Sequence, residues 1–434
     1  MENAKRAGAP ELLGFLNGSP TAFHAAANCA ALLEGSGFVE LREGERWKLE
    51  RGGKYFLRRG GSSIAVFEIG RGGCAEGFRI IGAHTDSPGF KLKPGNAIVT
   101  DDGYVKLNTE GYGGAILSTW FDRPLSIAGR VITKGASGFA ERLVDIEKPA
   151  LIIPNLCMHF HRDVNDGFAI NRQVDMLPLL GFARESAAKG DYVRDLVGSG
   201  AGIEKGDILD YDLFLYESDR GRIMGPNDEF ISASRLDNLW MVFAGIMAMI
   251  NSGECQATKV FAAFDAEEVG SVAVAGADSS FLGGTLRRVC AALGMSEEDA
   301  HIAASNSAAV SADCAHAVHP NYADRHDPGN RPVLGGGPAI KYSATQRYAT
   351  NARTAAMFAS LCKSAGISCQ NFANRSDVAG GSTIGPSMSS LTSIPAVDVG
   401  IPILAMHSIR EFGCLADGES AIAALSLFFA AEHV

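Results

Sequence analysis

Apolar residues along this chain recur in three textures. Near the start, Ser19 and Pro20 precede Thr21-Ala22-Phe23-His24-Ala25-Ala26-Ala27, which predicts a capped helix. Between Ser62 and Ala83, the runs SIAVFEI and FRIIGA predict two strands, and the Gly-rich segment 70–75 between them predicts a hairpin turn. From about 96 to 230 the apolar runs are short and alternate with polar residues, as in YVKLN and LSIAGRVI, which predicts a β-rich region ending near Met224-Gly225-Pro226-Asn227. From about 232 onward, helical periods alternate with short apolar strands, the texture of an α/β domain. There the segment SASRLDNL predicts a helix start at Asp237, with Ser232 or Ser234 as cap, leading into the apolar run Leu239–Ile250. The expected architecture is an α/β domain built from residues 1–94 and 233–434, interrupted by a smaller β-rich domain at 95–232.

Composition narrows the class. The chain has 434 residues, 46% hydrophobic and 20% charged, which excludes disorder, coiled coil and collagen as the main architecture. A net charge of −10 disfavours a nucleic-acid partner held by general electrostatics. The longest strongly apolar run has 12 residues, where a membrane helix needs about 20. The N-terminal MENAKRAGAPELL lacks the apolar core of a signal peptide. Nine scattered cysteines with no C-x-x-C pair suit the reduced thiols of a cytoplasmic protein.

The chemistry gathers at the ends of apolar runs. FRIIGA ends in His84-Thr85-Asp86, KVFAAF in Asp265-Ala266-Glu267-Glu268, AAVSA in Asp313 and IPILAM in His407. In open α/β sheets, ligands bind just beyond the carboxyl ends of the strands. Four such ends, with Asp237, bring imidazoles and carboxylates to one rim, a donor set that suits zinc, manganese or cobalt. Two ions can share this set if one carboxylate bridges them. Neighbours in an extended segment point opposite ways, so one member of the Glu267-Glu268 pair can face a metal while the other acts as general base. His84 and Asp86 are two apart and share a face, so Asp86 can hydrogen-bond the imidazole.

Other motifs lead nowhere. Gly70-Arg71-Gly72-Gly73-Cys74-Ala75 follows a strand, but the next strand leaves no room for the helix of a dinucleotide site. The chain has no G-x-S-x-G, no H-E-x-x-H and no P-loop.

Six segments together resemble the M18 metallopeptidases, the aspartyl aminopeptidases and their bacterial relatives: GAHTDSPGFKLKP (82–94), SRLDNL (234–239), FDAEEVGS (264–271), SADCAHAVHPNY (311–322), KYSATQRYATN (341–351) and AMHSIRE (405–411). IPNLCMHFHRD (153–163) also looks like that family, and the similarity runs from about residue 10 to the C-terminus. The resemblance implies a catalytic αβα sandwich with a mixed sheet, interrupted by a β-rich dimerisation domain. It implies two divalent ions per subunit, zinc first and cobalt or manganese next. His84, Asp237 and Asp313 would hold one ion, and Asp237, Glu268 and His407 the other, with Asp237 bridging. Glu267 would be the general base and Asp86 would orient His84. Family members form dimers and tetrahedral dodecamers, in which a histidine of a neighbouring subunit reaches the site, and His159 matches it. Lys341 matches the lysine beside an acidic substrate side chain, and His316 and His319 are implied near the substrate. The Gly-rich stretch 379–385 is a candidate pocket lining.

The expected activity is removal of N-terminal residues, Asp or Glu preferred, from peptides with a free N-terminus, with no nucleic-acid or membrane partner. The alternatives are a broad neutral aminopeptidase, another two-metal hydrolase such as a deacylase or carboxypeptidase, and a self-assembling carrier with a decayed site.

Overall fold

In a computed structural model of the chain, residues 8–135, 138–183 and 191–432 are described; the first seven residues of the N-terminal stretch lie outside them. The chain divides into two compact units, residues 1–86, 222–406 and 411–434 in the first, and 87–221 with 407–410 in the second.

The first unit is organised by a nine-stranded sheet. Its strands are β1 (Val39–Glu40), β2 (Lys54–Arg59), β3 (Ser63–Glu68), β4 (Phe78–His84), β5 (Thr258–Phe264), β6 (Ala308–Ala312), β7 (Ala339–Tyr342), β8 (Gln370–Ala373) and β9 (Ala396–Gly400). The spatial order is β1-β2-β3-β5-β4-β6-β9-β7-β8. The central strands β5, β4, β6 and β9 are mutually parallel, and β3 and β7 run antiparallel to their inner neighbours. Successive residues of a strand face opposite ways, so near-continuous apolar strands feed two cores. Ile81, Phe261 and Val310 pack on one face with helices α1 (Ala9–Asn17), α2 (Ala22–Gly35), α3 (Leu236–Asn251), α6 (Ala352–Ser364) and α8 (Leu415–Ala430). Ile80, Val260 and Ala309 pack on the other with α4 (Phe281–Ala292), α5 (Glu297–Ser305) and α7 (Gly385–Thr392). The result is an αβα sandwich around a mixed sheet.

Two local expectations are corrected. The runs SIAVFEI and FRIIGA do form strands, but not a hairpin: β5 lies between them, antiparallel to β3 and parallel to β4. The insertion comes from about 180 residues away in sequence, beyond any local turn signal. The run IPILAM does not end on the main sheet. Its strand Pro402–Leu404 belongs to a five-stranded sheet with Arg222–Met224, Phe230–Ala233, Ala315–His316 and Glu411–Cys414.

The second unit is a six-stranded antiparallel sheet with a helix, Asp191–Ala201. The strand Leu125–Gly135 pairs with Ile208–Glu217 along most of its length. Phe90, Trp120, Ile127, Val131 and Leu213 form its core. Among the described residues no helix is long and apolar enough to cross a membrane.

Candidate metal centre

His84 ends β4, at the carboxyl edge of the parallel strands. It is 1% exposed. Its Nδ1 lies 3.1 Å from the Asp86 carbonyl oxygen and 3.4 Å from Asp86 Oδ1. An N–H at Nδ1 donating to Asp86 leaves the Nε2 lone pair for a ligand. Nε2 faces Asp237 Oδ1 at 3.5 Å, Asp313 Oδ1 at 3.7 Å and Glu267 Oε2 at 4.0 Å.

Each carboxylate is set by its own local device. Asp313 follows β6, and its N–H donates to the Val399 carbonyl at 3.0 Å. Asn238 clamps both sides of it: its Nδ2 donates to the Ala312 carbonyl at 2.9 Å, and the Cys314 N–H donates to its Oδ1 at 3.3 Å. The Asp237 N–H donates to Glu411 Oε2 at 2.8 Å. Neither Ser232 nor Ser234 caps α3; Arg235, in a left-handed conformation, takes the N-cap position, and Asp237 and Asn238 have non-helical backbone angles. Ser232 is committed instead to the strand Phe230–Ala233.

Glu267 and Glu268 do not lie in an extended segment, as the sequence suggested. Ala266 takes a left-handed turn at φ 63° and starts a 3₁₀ turn, Glu267–Val269. The Asp86 carboxylate accepts the N–H groups of both glutamates at 3.1 Å. One aspartate thus ties the imidazole to the turn that carries the two acids.

The electrostatics are those of a site short of positive charge. Burial alone would depress the His84 pKa, but Asp237, Asp313 and Asp86 outweigh it and hold it well above the ordinary histidine value. Burial pushes Glu267 up to about 8, with Asp313, Glu268 and Asp86 adding to the rise and His84 opposing it. Ligand atoms of a tetrahedral zinc site stand roughly 3.3–3.5 Å apart, from bond lengths near 2.0–2.1 Å. The His84–Asp237 separation of 3.5 Å meets that spacing, and the 3.7 Å to Asp313 is slightly wider. His84, Asp237 and Asp313 form one set able to hold a metal, and His84, Glu267 and Glu268 another.

Lys341 lies in β7, 3% exposed. Its Nζ is 3.4 Å from Asp313 Oδ2 and 5.5 Å from the centre of the Tyr348 ring. His316 packs its ring against Phe372 at 5.7 Å. His319 accepts the Asn321 N–H and donates its own N–H to His326 Nε2. His407 follows the strand Pro402–Leu404 at φ 67° and is grouped with the second unit, where its Nδ1 lies 3.2 Å from the Gly114 carbonyl. His159, also in the second unit, is on an exposed turn. Sequence reasoning gave no role to Asn238, Glu411, Tyr348 or Asp398. The first three lie inside the motifs quoted above; the signal for Asp398 is an acid in the middle of the apolar strand AVDVG.

Comparison with known proteins agrees with this architecture. The family model described as aminopeptidase I zinc metalloprotease (M18) matches residues 15–429. A probable M18 family aminopeptidase 2 of Clostridium acetobutylicum is 49% identical over 406 residues, 93% of this chain and 94% of that protein. A chain in the cryo-EM structure of the Ape4 and Nbr1 complex is 37% identical, with a TM-score of 0.96 over 99% of this chain and 86% of that one. The mApe1 dodecamer of S. cerevisiae is 28% identical, with a TM-score of 0.86 over 98% of this chain and 97% of its own. This chain therefore belongs to the M18 family and is a zinc metallo-aminopeptidase.

Proposed function

We propose that the enzyme works with two divalent ions, zinc first, and that Glu267 is its general base. His84 and Asp313 would hold one ion, Glu268 and His407 the other, and Asp237 would bridge them. The observation that carries the reading is the crowding of Asp237, Asp313 and Glu267 around the Nε2 of one buried histidine. Bound ions would supply Lewis acidity, polarising the scissile carbonyl and easing the ionisation of water. Glu267 takes the proton of the attacking water at a carboxylate oxygen and hands it to the leaving amine. A carboxylate 4.0 Å from His84 Nε2, beside but outside the proposed ligand set, is positioned for both transfers. Asp86 keeps the imidazole and the glutamate turn in register, and Asn238 does the same for Asp313.

The second unit serves assembly in this reading. Phe139, Phe160 and Phe182 are each more than three-quarters exposed on it, and exposed aromatic rings are enriched where protein interfaces form. Together with the dodecameric relative, this supports a tetrahedral dodecamer in which His159 reaches a neighbour's site. The nine free cysteines suit a cytoplasmic location.

Lys341 is the candidate selector for N-terminal Asp or Glu, a compact charge on the rim beside Asp313, and His316 and His319 flank the same region of chain. A broader specificity is the second reading, favoured by the engagement of Lys341 with Asp313. The test is Glu267→Gln. Turnover of aminoacyl anilides should fall about a thousandfold while bound zinc stays at the wild-type level. Wild-type turnover in that variant would remove Glu267 as the base.

A further inference from the structure

β9 places an acid in the buried interior of the first unit. Asp398 is 0% exposed, and it makes no salt bridge among the described residues. A carboxylate buried in this way needs strong hydrogen bonds to offset its lost hydration. Two separate segments bond to Asp398, one through its carboxylate and backbone, the other through its carboxylate. Its Oδ2 accepts the Ala349 N–H at 2.6 Å, and its backbone N–H donates to Thr350 Oγ1 at 2.9 Å. Its Oδ1 accepts the Thr383 hydroxyl, and the Thr383 oxygen in turn accepts the Gly385 N–H at 3.3 Å. A side chain at Gly385 would collide with the Asp398 carboxylate, so the Gly-rich stretch can close on it only through glycine.

The two gripped segments are those on which the specificity reading rests. Ala349 and Thr350 directly follow Tyr348, whose ring lies under Lys341. Thr383 and Gly385 end the 379–385 stretch. The antiparallel pairing of Ala339 with Gly400 and Ile340 with Val399 ends one residue short of Lys341 and Asp398, and the Lys341 charge acts on the Asp398 carboxyl.

We propose that Asp398 is the positioning residue of the substrate-side-chain wall, fixing the Lys341–Tyr348 face and the Gly-rich stretch relative to each other and so setting discrimination among N-terminal side chains. The proposal rests on Lys341 and Tyr348 lining that wall. Asp398 touches no substrate; it acts through the two segments it holds.

The experiment compares kcat and KM of the zinc-loaded enzyme on Asp- and Leu-anilides for wild type, Asp398→Asn, Thr383→Val, Thr383→Ser and Lys341→Met. Asp398→Asn and Thr383→Val should each change the Asp/Leu ratio of kcat/KM at least fivefold, mainly through KM, with zinc content unchanged. Thr383→Ser keeps the hydroxyl and should restore the wild-type ratio. A folded Asp398→Asn or Thr383→Val with the wild-type ratio, differing only in melting temperature, would overturn the proposal. If Asp398→Asn does not fold, Thr383→Val decides by the same criterion. Lys341→Met separates the two readings. An unchanged ratio there removes the wall reading itself, whereas a ratio changed there and unchanged in the Asp398 and Thr383 variants removes only the role of Asp398.

Discussion

The two ends of the same parallel strands handle charge in opposite ways. At the amino end of β4, Arg79 is 2% exposed and its guanidinium is satisfied by backbone: it donates to the carbonyls of Ala431 at 2.8 Å, Glu432 at 2.6 Å and Asn306 at 3.2 Å. At the carboxyl end, His84 faces three carboxylates from three other segments of chain. The first arrangement is complete within the protein. The second gathers more carboxylates than His84 and Lys341 can balance: they hold the His84 pKa up against burial, while at Glu267 burial raises the pKa first and the neighbouring carboxylates add to it. A buried charge whose partners are backbone dipoles fastens the fold; a cluster with excess carboxylate calls for a cation.

That contrast can be broken at either end. The largest effect belongs to Asp237→Ala, which removes the proposed bridge between the two ions. Turnover should vanish and bound zinc should drop below one ion per chain by elemental analysis. Full zinc retention would mean that Asp237 is not shared. At the other end, Arg79→Met should cost about 3 kcal/mol in urea unfolding, because buried carbonyls lose charge-assisted donors. Its specific activity and zinc content should stay at wild-type levels; a loss of zinc would show that the two ends are coupled.

Asp417 supplies the smallest effect and the same rule with the sign reversed. Its buried carboxylate accepts the N–H groups of Gly335 and Gly337 at 2.8 and 2.7 Å, yet burial still pushes it up to about 6. An unfolded Asp titrates near 3.9. The folded state therefore favours the protonated form, so the contribution is complete below about pH 4 and is lost as pH rises through 6. Across that window it amounts to roughly 2–3 kcal/mol. Stability of Asp417→Asn should decline less steeply from pH 4 to 6 than that of wild type. An identical slope would place the titration elsewhere.

The sandwich was legible because its strands are apolar on both faces and its helices follow a different period. The order of strands was not, since β5 enters between β3 and β4 from a distant part of the chain. His84, Asp313 and the Glu267-Glu268 pair stood out because each closes an apolar run at the same edge. The turn at Ala266 and the Asn238 clamp did not: one depends on a left-handed backbone at an alanine, the other on an amide whose two partners lie more than 70 residues away. Glu411 and Asp398 act through backbone groups brought to them by the sheets, which leaves little trace in local pattern.

The most direct test is the number of ions held. The enzyme, stripped of metal, reloaded with zinc and desalted, should retain two zinc ions per chain by inductively coupled plasma mass spectrometry. A value of one, or none, would contradict the two-ion account.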